Sequence, residues 1–445
     1  MPPDPPDTAS PAAGSPRQHP GRRSRFSGLR KGFAALTYRN YRLFWVGQLV
    51  SVTGTWMQTL AMSWLVYEVL GSTPFELGLV HVLQFLPVLL LGIPAGVIAD
   101  RYPKRRILLT TQSIMMTLAA LLATLVLADQ IQLWHVYALA FGLGMANSLD
   151  MPTRQAFVSE MVEKDDLMNA IALNSALFNT GRIVGPGLAG VLLAVVGPGL
   201  LFALNAASYL AVLTGLLLMR IAPITGKSEE SPLQRLRDGL AYVRRDPLIS
   251  RTVLMVGAIG IFGMNFNVWI PVLASDNFGA GSSAYGTLFS AMGVGSLIGA
   301  LSLAFFGRGP SRRRMIAAAL LMGTAEVVLA LVAANGSAVM LGAVTLALVG
   351  FGSTNTMSTA NTLVQTAASD ELRGRVMAVY MTVFAGSIPI GALIAGWVTG
   401  RFGAPTSLLM GGTLILAAGA FQIWSTRHMH AAEPASRAPE AKPAD

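Results

Sequence analysis

Twelve stretches of this chain are each apolar for long enough to cross a bilayer as a helix, which takes about 20 residues. They run over 43–69, 77–99, 107–128, 134–157, 168–196, 199–221, 252–274, 284–306, 315–334, 338–362, 376–400 and 404–426. Backbone inside hydrocarbon must satisfy its own N–H and C=O groups, so each stretch is expected to be α-helical. Composition agrees: 53% of the 445 residues are hydrophobic and 12% are charged, too little charge to cover a soluble protein of this length. The chain reads as an all-α integral membrane protein with twelve transmembrane helices and the lipid bilayer as a partner. The net charge of +10 does not indicate a nucleic-acid partner, because the basic residues sit in short loops between apolar runs.

An even number of spans places both termini on one side. With that side taken as cytoplasmic, 30 of the 32 Lys and Arg residues fall there; the exceptions are Arg182, inside span five, and Arg401, outside the cell. This bias is the positive-inside pattern and predicts a multi-pass protein of the cell membrane with cytoplasmic N- and C-termini. The absence of cysteine excludes disulfides, thiolate metal sites and cysteine nucleophiles, and the five histidines form no i, i+4 pair, so no metal or other cofactor is expected. The first forty residues carry no apolar h-region and hence no expected signal peptide. Residues 1–37 read as a disordered tail, Pro-rich and then basic from Arg22 to Lys31, and 427–445 as a second disordered tail. Between 38–221 and 252–426, residues 222–251 form a cytoplasmic loop. In it Ser231 can cap a helix with Pro232 at its first position, while Leu233, Leu236, Leu240 and Val243 recur at helical spacing among arginines. That pattern predicts an amphipathic helix lying on the cytoplasmic leaflet.

The two halves echo one another at an offset near 205 residues. Asp166-Leu167 before span five answers to Glu371-Leu372 before span eleven, Gly197 answers to Gly403, and the basic loop 101–106 answers to Arg308 and Arg312–Arg314. Six spans plus six, with matching landmarks, is the organisation of many secondary transporters.

Two motifs carry mechanism. Between spans two and three stands Gly96-Val-Ile-Ala-Asp100-Arg101-Tyr-Pro-Lys104-Arg105-Arg106, which resembles the major facilitator loop pattern G-x-x-x-D-R-x-G-R-R-R, with Pro103 in place of the second Gly. In span five, Gly181-Arg-Ile-Val-Gly185-Pro186-Gly187-Leu-Ala189-Gly190 is similar to the antiporter motif g-x-x-x-G-P-x-x-G-G, with Ala189 departing. Glycines four apart permit tight helix packing, and Pro186 removes a backbone hydrogen bond and is expected to bend the helix. The resemblance covers about 38–426 and implies the major facilitator fold, two pseudo-symmetric six-helix bundles. Segments such as "NYRLFWVGQLVSVTGTWMQTLAMSWLVY" and "LRGRVMAVYMTVFAGSIPIGALIAG" are similar to the branch holding the enterobactin exporter and related drug–proton antiporters. The implied function is a secondary transporter, not an enzyme: a monomer that exports small amphiphilic substrates by alternating access, with the proton gradient as energy source. The arginine usual in the middle of span four among drug–proton antiporters is missing from "VYALAFGLGMA". An importer or uniporter of a small organic solute is the alternative.

The resemblance also implies site residues. Asp100 at the cytoplasmic mouth is expected to face span eleven as a conformational latch, sharing a network with Arg101, Lys104 or Arg105, Asp150 and Arg154. Spans one, four, seven and ten surround the cavity in this fold, which nominates Gln58, Asn147, Asn265, Asn267 and Asn355, with Gln84 added from span two. Trp56, Met264 and Trp269 would complete an apolar lining. Ionisable groups at membrane depth are costly and so are candidates in their own right: Arg182 near the midplane of span five, for an anionic substrate group or a carboxylate, and Glu326 in span nine, for a proton. Other classes find no support. Thr225-Gly226-Lys227-Ser228 imitates the end of a phosphate loop, but Ile221 stands where its leading glycine belongs, and no HExxH or GxSxG occurs.

Overall fold

A computed structural model describes residues 32–220, 232–306, 309–336, 338–369 and 371–432, without the side chains of Asp100, Leu233, Leu236 and a few others. The expectations for the tail before residue 32 and from 433 on, Ser231, the Thr225–Ser228 segment and Arg308 lie outside the described residues. Those residues contain no strand. Their long helices are Arg39–Trp64, Pro74–Arg101, Lys104–Leu127, Leu133–Val158, Leu167–Leu218, Pro247–Phe262 continued by Phe266–Val272, Gly281–Phe306, Arg312–Ala334, Val339–Ala367, Arg373–Phe402 and Ala404–Ala432.

The segment Leu167–Leu218 is two spans set back to back. Gly197 breaks it with φ 72° and ψ 175°, a conformation open to glycine because it lacks a Cβ. Gly403, at φ 85° and ψ 160°, makes the same turn between spans eleven and twelve, so the glycine pair of the sequence repeat is one turn used twice. Pro186, in contrast, sits among helical torsions, and Gly197 is the one break recorded in that segment. The repeat also shows at the outer ends of spans one and seven, where the helix widens into π turns at Leu65–Val69 and Leu273–Asn277.

Nine helices among the described residues are long and apolar enough to cross a membrane on hydropathy alone, one of them the doubled Lys164–Leu218 segment. Spans one and four fall short. They carry Gln48, Ser51, Thr55, Gln58 and Thr59, and Asn147, Asp150 and Arg154, respectively, and these polar groups lower the mean. Counted with them, the helices make twelve spans. Large apolar side chains such as Val191, Val195, Leu90 and Phe305 are outward and mostly exposed, a surface suited to lipid rather than water. Trp134 and Trp397, near outer helix ends, are also exposed, at the depth where indole rings favour the membrane interface.

The loop between the halves contains a helix, Pro232–Arg245, and part of its apolar face is covered by protein. Val243 is buried in a cluster with Ile249, Val253, Val376, Val379 and Tyr380. Gly239 lies against the carbonyl of Arg375, and Arg375 Nη1 donates to Asp238 Oδ2 at 2.8 Å. Protein packing removes this side of the helix from water more completely than the headgroup region would, so the helix is fastened to the cytoplasmic end of span eleven.

Candidate functional site

The two halves meet along span two against span eleven and span five against span eight, and both seams are tight outside and open inside. At the outer end, a Cβ on Gly78 would lie 2.5 Å from the Ala392 carbonyl oxygen, and one on Gly396 2.7 Å from that of Pro74. Halfway down, Gly386 still reaches Leu89, at 3.3 Å. Towards the cytoplasm, Gly92, Gly96 and Gly374 have nothing within 4 Å. On the other seam, Gly190 lies directly on the backbone of Gly286, and Gly187 meets Ser290 at 3.5 Å. The inner turns then expose Met168, Ile171 and Phe178.

Polar and aromatic contacts complete the outer seal. Tyr67 donates to Asp276 Oδ2 at 2.6 Å, and Ser275 donates to Glu68 Oε2 at 2.7 Å. The two pairs are related by the repeat: Tyr67-Glu68 and Ser275-Asp276 occupy equivalent π turns, and each hydroxyl reaches across to the other half's carboxylate. Beneath them Tyr285 donates to the Leu60 carbonyl at 3.1 Å and stacks on Trp64 with ring centres 5.2 Å apart. The sequence carried a usable signal for this clamp, since the two dipeptides stand 208 residues apart, close to the offset of the repeat.

Arg182 stands below the seal, at mid-depth. Its Nη2 donates to Thr354 Oγ1 of span ten, across the halves, at 3.2 Å. Among the described residues no carboxylate pairs with it, and its side chain is part-buried, so the cation rests on a neutral hydroxyl across the halves. We predict that Arg182→Ala lowers transport by about tenfold or more, the worth of a hydrogen bond to a charged group, while Arg182→Lys retains part of it. Melting temperature and transport measured on the same purified variants check this: equal, parallel losses in both would make the residue a scaffold element.

Among the described side chains, the charged groups near the cytoplasmic loop take separate partners. Asp150 is fully buried and accepts from Thr111 Oγ1 and Gln112 Nε2, each at 2.8 Å, and from Arg154. Arg154 also donates to Gln48 Oε1 at 2.8 Å and lies over the ring of Phe178. Lys104 turns elsewhere, to Glu160 Oε1 at 2.5 Å. Arg105 donates to the Leu216 and Leu217 carbonyls at the end of span six, where free carbonyls and the negative dipole end favour a cation. Arg101 is exposed, and the Asp100 side chain lies outside the described residues. Among the described side chains of that set, Asp150 and Arg154 touch each other. Sequence reasoning missed Glu160, Thr111 and Gln112, whose side chains carry no periodic signal.

The amides divide likewise. Gln58 and Gln84 border a cavity of about 20 Å³ with Thr55, Thr59 and His81, room for one water. Gln58 also accepts from Asn205 of span six at 2.7 Å. Asn147 and Asn267 are half-buried. Asn265 donates back to the Ile261 carbonyl at 2.8 Å. Asn355 turns to span eight: it donates to the Gly299 carbonyl there and to the Phe351 carbonyl of its own helix, and lines a cleft with Ser302 and Arg314. Trp269 is buried and donates to Ser407 of span twelve. The antiporter-like glycines are packing surfaces. Gly181 and Gly185 seat Val52 and Trp56 of span one, while Gly190 seats span eight.

Comparison with known proteins agrees with this architecture. The sequence profile of the transmembrane secretion effector family matches residues 30–444. Macrolide efflux protein A of Streptococcus pyogenes is 23% identical over 388 residues, covering 85% of this chain and 95% of that protein. The staphyloferrin A transporter of Staphylococcus aureus is 27% identical over 369 residues, covering 81% and 90%. The inward-facing, unoccupied structure of a bacterial homologue of the human lysosomal transporter Spinster superposes with a TM-score of 0.70 at 14% identity, over 88% of this chain and 97% of that one. An all-helical chain of twelve spans in two halves that close outside and part inside, matched by that profile almost end to end, belongs to the transmembrane secretion effector family of the major facilitator superfamily.

Proposed function

We propose that this protein is a proton-coupled antiporter of the plasma membrane, with both termini cytoplasmic, that exports small amphiphilic molecules such as drugs, siderophores or secondary metabolites. The observation that carries the reading is the gradient along the seams. The halves touch from their outer ends to mid-depth and part towards the cytoplasm, the side from which an exporter loads, with the Arg182–Thr354 hydrogen bond joining them on the inner side of the Gly187 contact. The relatives, one named for macrolide efflux and one for staphyloferrin A, support export of bulky organic molecules. The thirty basic residues on the inner side support the orientation. Transport follows if the outer clamp opens while the inner mouth closes, the binding groups staying near the pivot.

The test compares accumulation of a macrolide and of a catecholate siderophore in cells with and without the gene, before and after collapse of the proton gradient. Deletion is expected to raise intracellular levels of at least one probe several-fold, and an uncoupler to have the same effect on cells that keep the gene. Deletion that lowers uptake instead would replace export by import.

A further inference from the structure

The two halves follow the same plan, and at one point the second half departs from it twice. Span one is continuous from Arg39 to Trp64, but its counterpart, span seven, stops at Phe262 and restarts at Phe266. Gly263 and Asn265 lie in the gap with φ/ψ of −115°/−7° and −94°/34°. Among the described residues no backbone hydrogen bond joins the Phe262 or Gly263 carbonyl to the helix beyond. The second departure is Glu326, whose place in span three of the first half is taken by an apolar residue, Leu118, at the 208-residue offset that also relates the two π turns. Glu326 is 0% exposed, and neither carboxyl oxygen has a hydrogen-bond partner.

The departures touch. Glu326 Oε1 lies 3.3 Å from the position of a Cβ on Gly263, in the gap itself, and Oε2 lies 3.4 Å from that of Gly411 on span twelve. The Phe262 carbonyl oxygen converges on the same Gly411 position. The other groups nearest those two positions are Met322, Trp269 and Ile415. None of these titrates. Span ten, which packs on span nine through Gly352 against Met322, contains no Asp, Glu, Lys, Arg or His. The titratable residues of spans seven, nine and twelve other than Glu326, namely Arg251, Asp276, Arg312–Arg314, Arg427, His428 and His430, stand towards helix ends. Glu326 is fourteen residues, about 21 Å of helix, from Arg312.

A carboxylate buried among uncharged groups with no donor must be neutralised. A metal cation wants several oxygen ligands, whereas this site offers the carboxyl and one carbonyl amid aromatic and aliphatic carbon. A proton suffices. Broken helices are where secondary transporters place coupling ions, because unwound backbone can rearrange when the charge changes. Ionising Glu326 would set a negative charge beside the unpaired Phe262 carbonyl, and that repulsion is relieved by moving the second half of span seven. That segment carries the Asp276 and Ser275 side of the outer clamp.

We propose that Glu326 is the proton-binding carboxyl of the transport cycle, and that its protonation state sets the break in span seven and through it the outer clamp. The proposal rests on the antiport reading for its purpose, but its test needs no substrate. The chain has no cysteine, so spin labels can be placed at Met168→Cys and Gln365→Cys, on opposite halves near the cytoplasmic mouth. Distances between the labels, measured in lipid nanodiscs across pH, report the ratio of inward-open to inward-closed molecules. The wild type is expected to shift that ratio by up to about tenfold per pH unit, the limit for one proton. Glu326→Gln should hold one ratio at all pH values, and Glu326→Asp should shift with a displaced midpoint. A wild-type pH response in Glu326→Gln, no response in the wild type, or a shift driven by sodium at fixed pH would each overturn the proposal. If Glu326→Gln fails to insert, identical midpoints in the wild type and Glu326→Asp overturn it. Loss of the export reading would show separately, in the accumulation experiment.

Discussion

Gly190→Leu should abolish transport while leaving a protein that inserts and folds. Gly190 and Gly286 face each other backbone to backbone, so that any Cβ on either would overlap the other. The contact forms only when the outer ends of spans five and eight close, so the clash falls on one state of the cycle and spares the other. Overpacking a well-fitted contact costs about 1–3 kcal/mol, which shifts a two-state balance by about 5–150-fold, and a leucine against backbone belongs at the upper end. The same spin-labelled pair should therefore report depletion of the inward-open form. Gly187→Ala is the matched control: its Cβ meets only Ser290 Oγ, at 3.5 Å, so activity near wild type is expected. Transport retained by Gly190→Leu would mean that the halves do not close at this seam.

Asp150→Ala should have the largest effect on stability. Asp150 is buried, and it gathers Arg154, Thr111 and Gln112 from spans three and four, with Gln48 of span one joined through Arg154. Removing the carboxylate leaves a part-buried guanidinium without its counter-charge, at a cost of order 3–5 kcal/mol. Folded yield and melting temperature in detergent should fall together. The double variant Asp150→Ala/Arg154→Met should recover most of the loss, because replacing both charges by carbon removes the desolvation cost along with the attraction. If the double variant is no more stable than the single one, the cluster is held by Thr111 and Gln112 rather than by the ion pair.

Some of this architecture was open to reading from the residues alone, because hydrocarbon makes strong local demands. A span must be apolar for about 20 residues whatever its neighbours do, so twelve helices and their order could be counted. Gly197 and Gly403 could be paired because a tight turn between long helices calls for glycine wherever it occurs. Gly190 could be nominated because small residues mark close helix approach. The linker helix could be placed in sequence, although its pattern did not distinguish a lipid surface from the side of span eleven.

Partnership was not readable in this way. Thr354 and Asn355 are neighbours in one polar stretch, yet the first meets Arg182 across the halves and the second points into span eight. One residue along a helix is about 100° of rotation, and the rotation of each span is set by packing against its neighbours. Lys104 chose Glu160 over Asp150, and Glu326 met the break in span seven, for the same reason. Length and hydropathy act along the chain and were determined by the sequence itself. Which buried polar groups face one another depends on how twelve helices rotate and cross, and only their packing together decided it.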